Sequence, residues 1–277
     1  MDFYTLFPNL EPWVQNLAGV WPASVIKPSI WMFAAIEAVH LLTLGLLGGC
    51  VILLNFRLLG IGLTSEPISV VEKNLRLWLW VGVGGVLLTG VAIGMSNAEK
   101  LYTSPAFFVK MISLAAGLIF SFGVTNAVAR SEGAIAIGTK IAAAIAFVLW
   151  LASIGVFGAA NGANPGTVHL VCAGYAILFA FGSKTPKIIA AGSLAILVLV
   201  GWILTYGVWN VWDNYETVTQ INIWFVRAAA VILVGLLGYE IFTSRSTETS
   251  PVVKLVALFS TLSWVTIAAA GRWIGLS

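Results

Sequence analysis

Eight apolar stretches of about 20 residues, each enough for a helix to cross a bilayer core, constrain this chain more than anything else in it. They lie near 29–59, 76–96, 106–129, 138–159, 165–182, 186–208, 221–242 and 252–275. Turn chemistry marks the breaks: Ser65-Glu66-Pro67, Ser104-Pro105, Asn164-Pro165-Gly166, Thr185-Pro186 and Ser250-Pro251. Proline suits a first helical position, where its missing N–H leaves no bond unmade. Hydrophobic residues make up 60% of the 277 residues and charged residues 9%, too few charges to coat a soluble domain. The expected class is an all-α integral membrane protein of about eight transmembrane helices, in contact with membrane lipid.

Other classes lose support. The basic residues are scattered singly between apolar segments, so no nucleic-acid partner is expected. No phosphate loop, dinucleotide fingerprint or nucleophile–base pair is present, which leaves hydrolysis and nucleotide-driven pumping unsupported. The two cysteines, Cys50 and Cys172, both lie in apolar runs and are expected as small buried hydrophobes. Residues 1–28 interleave Phe3, Tyr4, Phe7, Trp13 and Trp21 with polar residues and prolines. That pattern suits the headgroup level, and it lacks the basic start and apolar core of a cleavable signal peptide.

Lys and Arg give an orientation. Arg57, Lys73, Arg76, Arg130, Lys140, Lys184, Lys187, Arg245 and Lys254 fall on one side, against Lys27, Lys100, Lys110, Arg227 and Arg272 on the other. The positive-inside rule puts the richer side in the cytoplasm and both termini outside.

Four spans look repeated. Phe107-Phe108-Val109-Lys110 opens the third and Trp224-Phe225-Val226-Arg227 the seventh; Lys140 and Trp150 in the fourth match Lys254 and Trp264 in the eighth. The expected organisation is two parallel four-helix repeats, residues 29–160 and 161–277, about an axis along the membrane normal.

The chain has two histidines, and they sit at matching places in those repeats: Val39-His40-Leu41 and Val168-His169-Leu170. At about 1.5 Å per residue both lie roughly 22–26 Å from the cytoplasmic end of their spans. An ionisable group at membrane depth is a functional-site hypothesis by default. Two imidazoles facing across a bundle suit the axial positions of one b-type haem iron. Lys110 and Arg227, at matching depth, would then face its two propionates, and Glu37, one turn above His40, would orient the imidazole or pair with Arg227 or Arg272. The alternatives for the histidines are hydrogen bonding between helices, transport chemistry, or another pigment or metal.

The segments Ile36-Glu37-Ala38-Val39-His40-Leu41-Leu42 and Asn55-Phe56-Arg57-Leu58-Leu59-Gly60 resemble the first helix of a family of uncharacterised bacterial membrane proteins of about four helices. Ser104-Pro105-Ala106-Phe107-Phe108-Val109-Lys110 is similar to that family's third-helix start, and Leu262-Ser263-Trp264 through Ala270-Gly271-Arg272 to its ending. One departure is Asn55-Phe56, where those proteins usually carry Asp. More distantly the architecture resembles copper-resistance D-type membrane proteins. The resemblance implies a fold and no settled activity.

Three functions follow as expectations. The first is a cytochrome b-like electron-transfer protein or subunit, binding one bis-histidine haem b in the outer leaflet half and exchanging electrons with quinone or an outer-face redox protein. The second is a small-solute or copper permease, though four methionines in all offer little of the soft ligation copper(I) selects. The third is a non-catalytic subunit or assembly factor working with other membrane subunits.

Overall fold

The structure is a computed structural model and describes residues 1–159, 165–243 and 249–275. Asn164 and Arg245, assigned above to breaks between spans, lie outside the described residues. The described residues are helical, with no strand among them.

The eight expected segments appear as α1 (Ile30–Leu59), α2 (Ile68–Ser96), α3 (Pro105–Arg130), α4 (Ile137–Ala159), α5 (Pro165–Phe181), α6 (Lys184–Val208), α7 (Tyr215–Thr243) and α8 (Pro251–Trp273). Seven are long and apolar enough to cross a membrane; α5 is a shorter apolar helix. Serine caps sit where the sequence puts them: Ser29, Ser104 and Ser250 accept from the N–H groups of Met32, Phe107 and Val253. A side-chain acceptor there satisfies one of a helix's orphan donors. Gly60, at φ 75°, ends α1 in the left-handed conformation that glycine adopts without a Cβ penalty.

The second helix begins at Ile68, eight residues before the sequence expectation, because its charges find partners. The carboxylate of Glu72 is fully buried. It accepts from Arg76 Nε at 3.0 Å and Nη2 at 2.5 Å, and from Arg130 Nε on α3 at 2.9 Å. Pro67 offers α2 no side-chain cap, and Glu132 does so from beyond α3, accepting from the Ser69 N–H at 3.1 Å. That bond to Ser69 holds the Glu132 carboxyl below its ordinary range.

The chain forms two compact units, one of Met1–Ser153 with Glu248–Ser277 and one of Ile154–Thr247. In the first, α1 packs on α2, and α8 packs on both α3 and α1. α8 is the buried helix of this unit: 61% of its apolar window is inside, against 28% for α1 and 22% for α2. Polar side chains fasten it. Asn55 Nδ2 donates to Ser260 Oγ at 3.0 Å and Thr261 Oγ1 at 3.1 Å. Trp264 Nε1 donates to Ser121 Oγ at 2.9 Å, and Trp150 Nε1 to Thr266 Oγ1 at 3.1 Å. In lipid such groups must be satisfied within the protein. Ser121 lies on a π-helical turn of α3, Ile119–Thr125.

Asn55 also explains the departure from the resembled family. The Thr261 hydroxyl already donates to the Ala257 carbonyl, so it can only accept from Asn55. An amide supplies that donor and an ionised carboxylate cannot.

Glycines set the spacing of α1 and α2. A Cβ on Gly82 would stand 2.8 Å from Leu47 Cβ and 3.0 Å from Leu47 Cα. Small residues at such crossings let helices approach closely in a membrane.

The N-terminal segment is helical in short pieces, Phe3–Leu6, Pro8–Leu10, Glu11–Leu17 and Ala23–Ile26. It is pinned by the Phe3 ring, 5.0 Å from Phe108 and 5.8 Å from Phe107, and by the Tyr102 hydroxyl, which donates to the Phe7 carbonyl.

In the second unit, α5 and α6 each pack on α7. Tyr175, Leu178, Ala190 and Leu233 form its core, and the Tyr175 hydroxyl donates to the Ala229 carbonyl at 3.1 Å. Cys50 is buried as expected; Cys172, expected to be buried, is exposed on α5.

Candidate functional site

His40 leaves α1 toward α2. A Cβ on Gly90 would stand 3.3 Å from His40 Cε1, so the glycine gives the ring its room. Nδ1 lies 2.8 Å from Thr89 Oγ1. The Thr89 hydroxyl donates its own hydrogen to the Gly85 carbonyl at 2.5 Å, so it accepts from the ring. The Val86 carbonyl is a second acceptor beside the imidazole. The ring proton is thereby assigned to Nδ1, and Nε2 carries the lone pair. Fixing one ring nitrogen through a hydrogen bond is how a protein prepares the other as a ligand or base.

Two adjoining cavities in the first unit share His40, Gly90, Gly94, Leu101, Phe107 and Lys110. One, of 410 Å³, is apolar and roofed by Phe7, Leu10, Trp13, Val14 and Leu17 of the N-terminal segment. Met95 and Met111 also line it. The other, of 620 Å³, carries charged and polar side chains on mainly apolar walls: Glu37, Asn97, Lys100, Lys110 and Arg272 line it beside the small Gly90, Gly94, Ala268 and Gly271. Among the described residues, three cations line it with one carboxylate. Lys110 is half-buried and makes no ion pair or hydrogen bond among the described residues. Its ammonium passes beside Gly271 of α8. A half-buried ammonium in a membrane-spanning helix favours an anionic neighbour.

The five expected site residues fall into two groups. His40, Lys110 and Glu37 come together on one cavity of the first unit. His169 and Arg227 belong to the second unit. The His169 ring is 5.7 Å from Phe157. Arg227 is exposed, with its guanidinium 4.7 Å above the Trp224 ring, a cation–π arrangement. Thr89, which holds the imidazole, escaped the sequence argument; the signal was a lone hydroxyl in an apolar run next to a glycine. Lys100 was read only as a charge at a span end, and Arg272 also as a partner for Glu37.

The second unit has its own cleft. In the first unit α2 lines the apolar cavity with Val86, Leu87, Gly90, Val91, Gly94 and Met95. In the second, α6 lines a 470 Å³ cleft with Leu197, Val198, Gly201, Trp202, Thr205 and Tyr206. The six positions correspond one to one at a constant offset along the chain. Among the described residues, no three His, Cys, Asp or Glu side chains converge as a metal site.

Fold and site together define an all-helical integral membrane protein with a cation-lined cavity at one histidine. Residues 28–164, spanning α1–α4, match the model of a family described as a family of unknown function (DUF6644). No curated protein and no solved structure matches the chain.

Proposed function

We propose that the chain is a cytochrome b-like electron-transfer protein whose first unit holds haem b with His40 as an axial ligand. The observation that carries this is the His40 imidazole: its proton is fixed toward Thr89 at 2.8 Å, and the ring lines a cavity with three cations. The donor set fits the group. Nε2 is an unprotonated nitrogen of the kind that ligates haem iron. Gly90, Gly94, Ala268 and Gly271 leave room for a flat ring, and Lys110, Lys100 and Arg272 suit two propionates. When bound, the haem would supply one-electron chemistry; the chain's part is to fix the imidazole, neutralise the propionates and exclude water with an apolar roof.

His169 is the second axial ligand in this reading. The repeated lining of the two clefts supports a duplicated origin, with eight spans in two parallel repeats. Arg57, Arg130 and Lys254 stand at helix ends of the first unit, and Arg76 meets Arg130 on the Glu72 carboxylate. They support a cytoplasmic placement of these ends in a bacterial inner membrane, with both termini outside.

The test is the visible spectrum of protein purified from haem-sufficient cells. A Soret band that vanishes in both His40→Ala and His169→Ala supports the bis-histidine reading. Loss in His40→Ala alone moves the other axial position elsewhere, with Met95 and Met111 next to be replaced. No Soret band in the unaltered protein overturns the proposal.

A further inference from the structure

The cleft of the second unit, between α5, α6 and α7, differs in chemistry from the cavities at His40. Among the described residues, no charged side chain lines its 470 Å³. Its polar groups are Thr205, Tyr206, Asn222 and Cys172. Thr205 is only 8% exposed, and its hydroxyl makes no hydrogen bond among the described residues. Several other threonines in its spans behave differently. Thr89, Thr125, Thr261 and Thr266 each return their hydroxyl to the carbonyl four residues back, as threonines in apolar helices commonly do. Thr205 lies on the π-helical turn Ile203–Val208. Such turns are frequent at functional sites. The Thr205 hydroxyl opens onto the cleft, where it can donate to an acceptor on a ligand.

The lip of the cleft is apolar and open. Val198, Trp202 and Tyr206 are 68%, 62% and 62% exposed on a helix long and apolar enough to span a membrane. A ligand arriving there comes from within the bilayer, is neutral, and presents acceptors to donors at one end while its tail lies on aliphatic walls. We propose that this cleft binds an isoprenoid quinone, its ring carbonyls accepting from the Thr205 hydroxyl and the Asn222 amide and its tail lying along Leu194, Leu197 and Val171. The choice of a quinone among neutral carbonyl lipids rests on the electron-transfer reading; the cleft, its missing charge and its unpaired hydroxyl do not.

The test is binding of a benzoquinone with a ten-carbon tail to the detergent-solubilised full chain, followed by quenching of tryptophan fluorescence. Thr205→Val and Asn222→Leu each remove one donor at similar volume. Together they are expected to weaken binding about tenfold, the equivalent of about 1.4 kcal/mol, as two modest hydrogen bonds imply. Gly201→Leu fills the space before Phe225, which a Cβ would already approach to 3.8 Å, and is expected to abolish binding. Thermal unfolding checks each variant; if Gly201→Leu does not fold, the donor variants decide. Unchanged affinity in the donor variants overturns the proposal. So does equal affinity for a ten-carbon alcohol, which would mark a lipid-tail groove. The spectrum of the unaltered protein separates the two claims: quinone binding by an unaltered protein that shows no Soret band leaves this site standing while the haem reading falls.

Discussion

Replacing Gly82 by alanine tests the close crossing of α1 and α2. The added Cβ would meet Leu47 Cβ at 2.8 Å and Leu47 Cα at 3.0 Å, where ordinary contact begins at 3.4 Å. Leu47 is buried, and backbone and Cβ atoms have no rotamer to escape into. The helices must therefore separate by about 0.6 Å, and overpacking of this kind costs about 1–3 kcal/mol. The His40–Thr89 bond joins the same two helices at 2.8 Å. A similar widening there takes it to about 3.4 Å, at the edge of a useful hydrogen bond. Gly84→Ala is the control, since a Cβ there meets nothing within 4 Å; better helix propensity makes it neutral or stabilising by up to about 1 kcal/mol. Thermal unfolding in detergent reads stability, and nitrogen chemical shifts of the imidazole read the Nδ1 bond. Equal melting of Gly82→Ala and Gly84→Ala would refute the argument, as would an imidazole unchanged in a destabilised Gly82→Ala.

Other outcomes follow from the same geometry. Asn55→Asp is expected to lower the melting temperature, by about 1–3 kcal/mol of stability, because a carboxylate offers no donor to Ser260 and Thr261; a variant as stable as the parent would contradict this. Glu72→Ala should destabilise the α2–α3 contact by about 2 kcal/mol, below the range for a fully buried pair, because the Arg76 and Arg130 side chains are 43% and 51% exposed and stay hydrated. Double replacement with Arg130→Ala checks it: additive losses would mean the pair is not coupled. Glu132 has a lowered carboxyl pKa, so its contribution is present above the ordinary carboxylate range near pH 4.3 and is lost as pH falls through the folded value. Glu132→Gln should flatten the acid side of the stability profile, measured by unfolding between pH 3 and pH 7, and a parallel acid loss in both proteins would rule that out.

Spans were legible in the sequence because a bilayer imposes length and apolarity on every crossing segment, and prolines with serine caps mark the starts. The start of α2 was misjudged for the opposite reason: hydropathy counts Glu72, Lys73 and Arg76 as polar, whereas Glu72 is neutralised from α3. Which helix lies beside which was not legible, since hydropathy says nothing about lateral order. A hint was present in Ser260, Thr261, Ser263 and Thr266, too many hydroxyls for a helix facing lipid. At the site, His40 and Lys110 stood out as ionisable groups in apolar runs. Thr89 and the roof of the apolar cavity did not, because their roles depend on contacts across long stretches of chain.

The central position of α8 has a consequence for biogenesis. A ribosome delivers α1, α3 and α4 to the membrane long before it delivers α8. Asn55 then waits without Ser260 and Thr261, Trp150 without Thr266, and Ser121 without Trp264. Until the last helix arrives, the first unit is an open bundle with polar side chains turned toward a vacant slot. Such an intermediate must be shielded by the insertion machinery or by transient self-pairing. The second unit needs no such delay, because α5, α6 and α7 are consecutive. The chain thus completes its C-terminal three-helix group first and closes its N-terminal cavity last, so a ligand too large for the finished entrance has its opportunity during synthesis.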